Sequence, residues 1–276
     1  MPYPTGDLSD KTVIATGSNV GLGKGAARHF ARLGASRLIL AGNLDKGGPA
    51  KEDIEATTNK NVIQFAGRVE SDLDRVDIFV ANAGVAPSKY GTAEDNEEMI
   101  TVNVFSTFLL LALVLPNSRR RLPNTRRAPL AITSSGIHAK TQFPPRSAPE
   151  GQIFARSTTG RRPRSTGASS TLSRSCSIFV VRSIGERHPA SEFSVTINCL
   201  NPGLCRSELA RDRPSLAFTI FNMLIARSTE VGSHTLIHTA MAGAETHGQN
   251  CRTVRLRPVR AGAFQGGSAG SQTRNT

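Results

Sequence analysis

Three glycines, Gly17, Gly21 and Gly23, fall within one eight-residue stretch, Thr16-Gly17-Ser18-Asn19-Val20-Gly21-Leu22-Gly23. Glycines at this spacing suit one kind of chemistry, the holding of a phosphate. With no Cβ, the chain can turn tightly and come close to a pyrophosphate. A helix that begins inside such a turn offers N–H groups without intrahelical partners and the positive end of its dipole. A glycine trio alone is weak evidence, and the elements on either side decide its meaning.

Upstream, Thr12–Ala15 is a short β-branched and apolar run, as a buried strand would be. Downstream, Ala26, Ala27, Phe30, Ala31 and Leu33 keep a helical period, and "SRLILAGN" supplies the next strand. Strand, glycine turn, helix and strand make a βαβ unit of the length that binds a dinucleotide.

The spacing TGxxxGxG resembles that of the short-chain dehydrogenase/reductase family, and four further stretches agree with that family in order. "DIFVANAGVA" resembles its NAG motif, with Asn82, Ala83 and Gly84 ending a central strand. "TVNVFSTFLL" resembles the helix that carries its active-site Asn, here Asn103. "LAITSSGIHA" resembles the strand that ends in its catalytic Ser, matched by Ser135 rather than Ser134. "VTINCLNPGL" resembles the strand and turn that pack on the nicotinamide, with Pro202 and Gly203. The retinol-dehydrogenase-like branch, which includes many fungal enzymes of secondary metabolism, is the most similar in flavour. Taken singly, Asn82 could brace a strand end, Asn103 could cap or kink its helix, and Ser135 could be one more polar residue at a strand terminus. The ordered series favours descent from the family.

The resemblance implies NADP or NAD, held by Thr16, Gly17, Asn19, Gly21, Leu22 and Gly23, with Asn82, Ala83, Gly84, Pro202 and Gly203 beside it. It implies a small-molecule alcohol or ketone as substrate, hydride transfer between the substrate carbon and the nicotinamide, and a homodimer.

The same resemblance breaks at its catalytic centre. The family's YxxxK motif supplies a phenol that gives or takes the proton and a lysine that lowers its pKa and holds the cofactor ribose. This chain has only Tyr3 and Tyr90, and Glu94 stands four residues after the second. Counting back from "CSIFVVRSIGERHPASEF", the Tyr position falls on Ser170 and the Lys position on Arg174. An alkyl hydroxyl cannot be tuned toward neutrality as a phenol can, and arginine stays protonated. Two further departures concern the cofactor. Gly42 stands where the family has an arginine for the 2′-phosphate of NADP, with Lys46 as a substitute. No clear counterpart of the adenine-binding Asp is found, since Asp72 and Asp74 fall on the wrong element.

Length and charge bound the remainder. A chain of 276 residues suits one large α/β domain. The net charge of +13 is concentrated: Ser118–Arg127, Arg156–Arg174 and Thr246–Thr276 carry five Arg each and no acid, which leaves the rest of the chain at −2. No aromatic interleaving accompanies these runs, so specific nucleic-acid binding is not expected. The abrupt Arg/Ser/Gly/Thr composition of the second and third runs reads as sequence out of register, from a shifted reading frame or a misplaced exon boundary. Cys176, Cys199, Cys205 and Cys251 form no zinc spacing or CxxC pair, which points to a reducing compartment. The start lacks an apolar signal core, and the apolar run Phe108–Pro116 is about half a membrane span. His138, His234, His238 and His247 show no ligand spacing, so no metal is expected.

The expected fold is a single doubly wound, mainly parallel Rossmann-like α/β domain. Strands are expected at Thr12–Ala15, Arg37–Ala41, Asn61–Gln64, Asp77–Ala81, Leu130–Thr133 and Ser194–Leu200. Residues 1–248 would form it, with 150–174 irregular and basic and 249–276 a disordered basic tail. Three functions compete: a cytoplasmic NAD(P)-dependent oxidoreductase with another proton donor, an inactive nucleotide-binding or partner-binding pseudoenzyme, and a basic nucleic-acid binder.

Overall fold

The computed structural model describes residues 2–42, 44–58, 62–64, 75–87, 89–119, 128–135, 166–206, 223–252 and 255–257; for 44, 62–64, 119, 166–175, 252 and 255–257 it gives the backbone course only. Ten strands are seen among them: β1 (Thr12–Thr16), β2 (Arg37–Ala41), β3 (Val62–Gln64), β4 (Ile78–Ala81), β5 (Thr92–Ala93), β6 (Asn96–Glu97), β7 (Ala128–Thr133), β8 (Val195–Asn201), β9 (Asn250–Arg252) and β10 (Arg255–Arg257). The helices are α1 (Gly21–Arg32), α2 (Leu44–Thr58), α3 (Glu98–Ile100), α4 (Thr107–Arg119), α5 (Thr166–Arg187) and α6 (Thr229–Ala240). A π-helical stretch, Thr101–Ser106, joins α3 to α4.

The main sheet has the order β10-β9-β8-β7-β4-β1-β2-β3, and every pairing in it is parallel except β9 with β10. Strand order reverses at β1, which lies between β2 and β4, so the crevice of this doubly wound sheet opens at the β1/β4 carboxyl ends. The strands read as continuous apolar runs because helices cover both faces. On one face, Val13, Ala15, Leu38 and Leu40 pack with Phe30 of α1 and Leu236 and Ile237 of α6. On the other, Ile14, Ile39, Phe79, Leu130 and Ile132 pack with Leu111 and Val114 of α4 and Ile178 and Val181 of α5. The alternation of strand residues between the two layers is the period of two along a strand.

All six expected strands are present, with ends shifted by one or two residues. The boundary at 248 is corrected. Asn250–Arg252 adds a further parallel strand beside β8, pairing Cys199 with Asn250 and Leu200 with Cys251. The strand is three residues long, and the side chains it buries are Asn250 and Cys251, so no apolar run marks it in the arginine-rich sequence. The irregular segment is corrected as well: α5 begins at Thr166, so 166–174 is helical, while 150–165 lies outside the described residues. The apolar helix is longer than the run Phe108–Pro116 suggested. Glu98–Ser118 is long and apolar enough to cross a membrane, by length and composition only. In this fold its inner side is core, with Met99, Ile100, Val104, Leu111 and Val114 buried.

Candidate nucleotide site

The glycine turn leaves β1 through left-handed backbone at Gly17 (φ 62°) and Gly21 (φ 56°), conformations that side chains rarely adopt. A Cβ on Gly23 would lie 2.2 Å from the Gly17 carbonyl oxygen and 2.6 Å from Asn82 Nδ2. A Cβ on Gly17 would lie 2.8 Å from Ala83 Cα. The first turn of α1 has no acidic residue, and its N-cap Val20 offers no side-chain acceptor. The N–H groups of Gly21, Leu22 and Gly23 are thus left without an intrahelical acceptor, at the positive end of the helix dipole.

Thr16 and Asn82 hold this turn against the end of β4. The Thr16 hydroxyl accepts the backbone N–H of Asn82 and of Ala83, each at 3.0 Å. Asn82 Nδ2 donates to the carbonyls of Thr16 and Gly17, each at 3.3 Å, and its Oδ1 accepts from Thr133 at 3.4 Å. Ser18, fully buried, donates to the Ala15 carbonyl at 2.8 Å. Asn82 therefore braces three strand ends at once, from β1, β4 and β7. Thr133 and Ser18 were not singled out in the sequence, and their hydroxyl types gave no signal apart from their place next to recognised motifs.

Leu22 divides its role. Its N–H belongs to the turn, whereas its side chain packs on the core and points at α6, so that a Cβ on Gly232 would meet Leu22 Cδ2 and Cys205 Sγ, both at 2.5 Å. Asn19 turns toward the end of β2, where a Cβ on Gly42 would fall 2.9 Å from its Oδ1.

Asn103 sits in the π-helical stretch, an irregularity often found at functional sites. Its amide clamps one peptide segment from both sides: Val85 N donates to Oδ1 at 2.8 Å, and Nδ2 donates to the Val85 carbonyl at 2.9 Å. Gly84 makes room for it, since a Cβ there would lie 3.0 Å from Asn103 Oδ1. These bonds make Asn103 a positioning residue for the segment after β4.

Ser134 and Ser135 follow β7. Ser134 is buried, and its N–H donates to Leu200 at 2.7 Å; Ser135 is half-buried. Pro202 and Gly203 follow β8, with Gly203 at φ 78° and its N–H donated to Asn201 Oδ1 at 3.0 Å. The carboxyl ends of β1, β4, β7 and β8 thus bring together Gly17–Gly23, Asn82–Gly84, Ser135 and Pro202–Gly203. Ser170 and Arg174 lie one helical turn apart on α5, the spacing of the missing YxxxK pair. Asp72 and Asp74 lie outside the described residues, as do His138 and residues 207–222. Arg206 and Arg227 bound that last segment: Arg206 N donates to the Arg227 carbonyl, and Arg227 N to the Leu204 carbonyl, both at 2.9 Å.

Burial pushes Cys176 up to about 12 and Cys251 up to about 11, and raises Cys199 further, so none of these three is a thiolate near neutral pH.

A family profile described as short chain dehydrogenase matches residues 11–142. Short chain dehydrogenase/reductase dmxR8 of Cryptosporiopsis sp. is 51% identical over 268 residues, covering 90% of this chain and 83% of that protein. Short chain dehydrogenase atnD of Emericella nidulans is 35% identical over 275 residues, covering 91% of this chain and 87% of its own. Among solved structures, a short chain dehydrogenase from Shigella flexneri complexed with NADP superposes with a TM-score of 0.65 at 18% identity, over 90% of this chain and 99% of the other. That last likeness speaks for the fold alone. Identity of 51% sustained across nine-tenths of the sequence is more than a shared fold requires: the chain belongs to the short-chain dehydrogenase/reductase family, alongside fungal members.

Proposed function

We propose that this chain binds NADP or NAD at the β1/β4 crevice and turns over alcohols or ketones at or near background. The observation that carries the binding half is the Gly17–Gly23 turn. Its backbone approaches so closely that a Cβ at Gly23 has no room, and the three N–H groups of Gly21, Leu22 and Gly23 at the start of α1 have no intrahelical acceptor. A nicotinamide, when bound, supplies hydride exchange with a carbonyl carbon. The chain's own contribution is to cradle the pyrophosphate with Gly17, Gly21 and Gly23 and to flank the crevice with Asn82–Gly84 and Pro202–Gly203. Ser135 is the hydroxyl offered to the substrate oxygen.

The catalytic half rests on the missing phenol. Tyr3 is committed elsewhere, edge-on to His29 and His234 with ring centroids 5.3 and 5.5 Å apart, and under the Arg32 guanidinium. Tyr90 has Glu94 where lysine would be needed. Loss of a positioned general acid costs about 10²–10⁴-fold in rate. A complex of the Shigella flexneri relative with NADP supports the cofactor class, and Gly42 in place of an arginine weighs against a strong preference for NADP.

The proposal extends to setting. Four free cysteines fit the reducing cytoplasm. Exposed Leu109 and Leu113, one turn apart on α4, fit a self-associating face of a homodimer.

Fluorescence titration with NADPH and NADH, followed by turnover on a ketone panel, tests both halves. Saturable binding with background turnover is expected. The double change Ser170→Tyr with Arg174→Lys should raise turnover above Ser170→Tyr alone, because the phenol needs the cation that lowers its pKa. Robust wild-type turnover abolished by Ser135→Ala would overturn the catalytic half. Absence of saturable dinucleotide binding would overturn the other.

A further inference from the structure

On the sheet face covered by α1 and α6, away from the glycine turn, two imidazoles and a carboxylate converge. The helices approach closely because Gly25 faces Ser233, where a Cβ would already lie 3.0 Å from the serine side chain. One turn beyond Gly25 stands His29. Glu230 and His234, four residues apart, share the facing side of α6. His29 Nε2 lies 2.8 Å from Glu230 Oε1, and His234 Nε2 lies 3.8 Å from the same oxygen. One ligand atom from each residue falls within 4.8 Å of the others.

Both imidazoles are almost wholly buried, at 3% and 5% exposure. Yet His29 Nε2 and both ring nitrogens of His234 make no hydrogen bond among the described residues, and the His29–Glu230 contact is an ion-pair distance without hydrogen-bond alignment. Buried polar atoms are nearly always partnered, so the two ring nitrogens of His234 without a hydrogen bond, beside the His29–Glu230 ion pair, call for an explanation.

We propose that His29, Glu230 and His234 form a binding site for a divalent transition-metal ion of the zinc class. Two imidazole nitrogens and one carboxylate oxygen are the ligand types that zinc takes, at about 2.0–2.2 Å each. In a tetrahedron of that size neighbouring ligand atoms are about 3.3 Å apart. The two separations from Glu230 Oε1, 2.8 and 3.8 Å, bracket that value, and all three ligand atoms lie within 4.8 Å of one another, so rotation of the side chains brings them to it. Coordination uses neutral imidazole. Burial, the largest influence on His29, holds its pKa below the ordinary value despite the nearby Glu230 carboxylate. Glu230, about half exposed, gives the ion a way in from solvent, and the fourth position is open to water. Tyr3 covers the two imidazoles edge-on from the N-terminal segment. The ion would tie α1 to α6, and its presence is independent of any nucleotide chemistry.

The test uses the full chain, stripped with chelator and dialysed. Titration with Zn²⁺ followed by calorimetry should show one saturable equivalent and a rise in melting temperature, because the ion binds only the folded arrangement. Co²⁺ in its place should give the visible absorption of a tetrahedral site. Glu230→Gln should weaken Zn²⁺ binding at least tenfold, and His29→Ala with His234→Ala should abolish the Co²⁺ spectrum. No saturable equivalent in the wild type would overturn the site. So would unchanged affinity in Glu230→Gln, which alters an exposed side chain and decides the matter if the histidine variants do not fold.

Discussion

Replacing Gly23 by alanine tests the cradle with the smallest perturbation available. The added Cβ would stand 2.2 Å from Gly17 O, 2.6 Å from Asn82 Nδ2 and 2.8 Å from the Gly17 carbonyl carbon. Real Cβ contacts essentially never fall below 3.0 Å, so the start of α1 and the Gly17 peptide must separate by at least about 0.8 Å. Both clashing groups are backbone or the amide that braces it, so no flexible side-chain end can swing aside. Charge-assisted hydrogen bonds to a pyrophosphate are short, about 2.7–2.9 Å, and a displacement of this size breaks the ones made from α1. Each such bond contributes about 1.5–3 kcal/mol, so losing one lowers affinity roughly ten- to hundredfold. NADPH and NADH titrations of wild type and Gly23→Ala read the effect, with a thermal melt to show that the variant folds. Gly48→Ala is the control: apart from its chain neighbours nothing lies within 4 Å of its added Cβ, and affinity should be unchanged. A folded Gly23→Ala protein that binds both nucleotides like the wild type would refute the cradle assignment.

Truncation after Gly248 should lower the melting temperature by several degrees, because it removes β9, the Gln249 carbonyl that accepts Cys199 N at 2.9 Å, and buried Cys251; an unchanged melt would show that β9 contributes nothing. Asn103→Ala should destabilise by about 1–3 kcal/mol by leaving the Val85 N–H and carbonyl unpaired, and Asn103→Asp, which keeps only the acceptor, should cost less; equal effects would argue against the two-sided clamp. In chelator, acid should expose His29. With its folded pKa below 6.5, the neutral form is favoured by folding, so the stability it contributes is full above 6.5 and is lost as pH falls through the folded value; chemical denaturation at stepped pH should show this slope, and His29→Gln should flatten it.

The sheet was readable from sequence where a strand is buried on both faces. β4 reads IFVA and is buried throughout, so its apolar run could mean little else. The glycine turn was readable because its spacing is dictated by backbone approach, and Asn82 and Ser135 were found through the motifs they share with the family. β9 was not readable, since a strand of three residues, with an asparagine and a cysteine as its buried side chains, leaves no apolar pattern. The helical course of 166–174 was hidden by a Gly/Ser/Thr composition of low helix propensity. Asn103 was found as a site residue, but its hold on Val85 depends on a contact across 18 residues of chain. The pairing of His29 with Glu230 and His234 needed the approach of two helices some two hundred residues apart in sequence, and in the sequence alone His234 shows no ligand spacing.

The proximity of Gly42 to Asn19 constrains the routes by which this protein can evolve. Any side chain at 42 begins with a Cβ 2.9 Å from Asn19 Oδ1, so the two positions are epistatic. An arginine at 42, the simplest gain of a partner for a 2′-phosphate, enters a space that Asn19 already occupies. The same substitution becomes accessible once position 19 has shortened or turned away. Selection for a phosphorylated cofactor would therefore act on the turn after β1 and the end of β2 together, since a side chain at 42 requires Asn19 to turn aside.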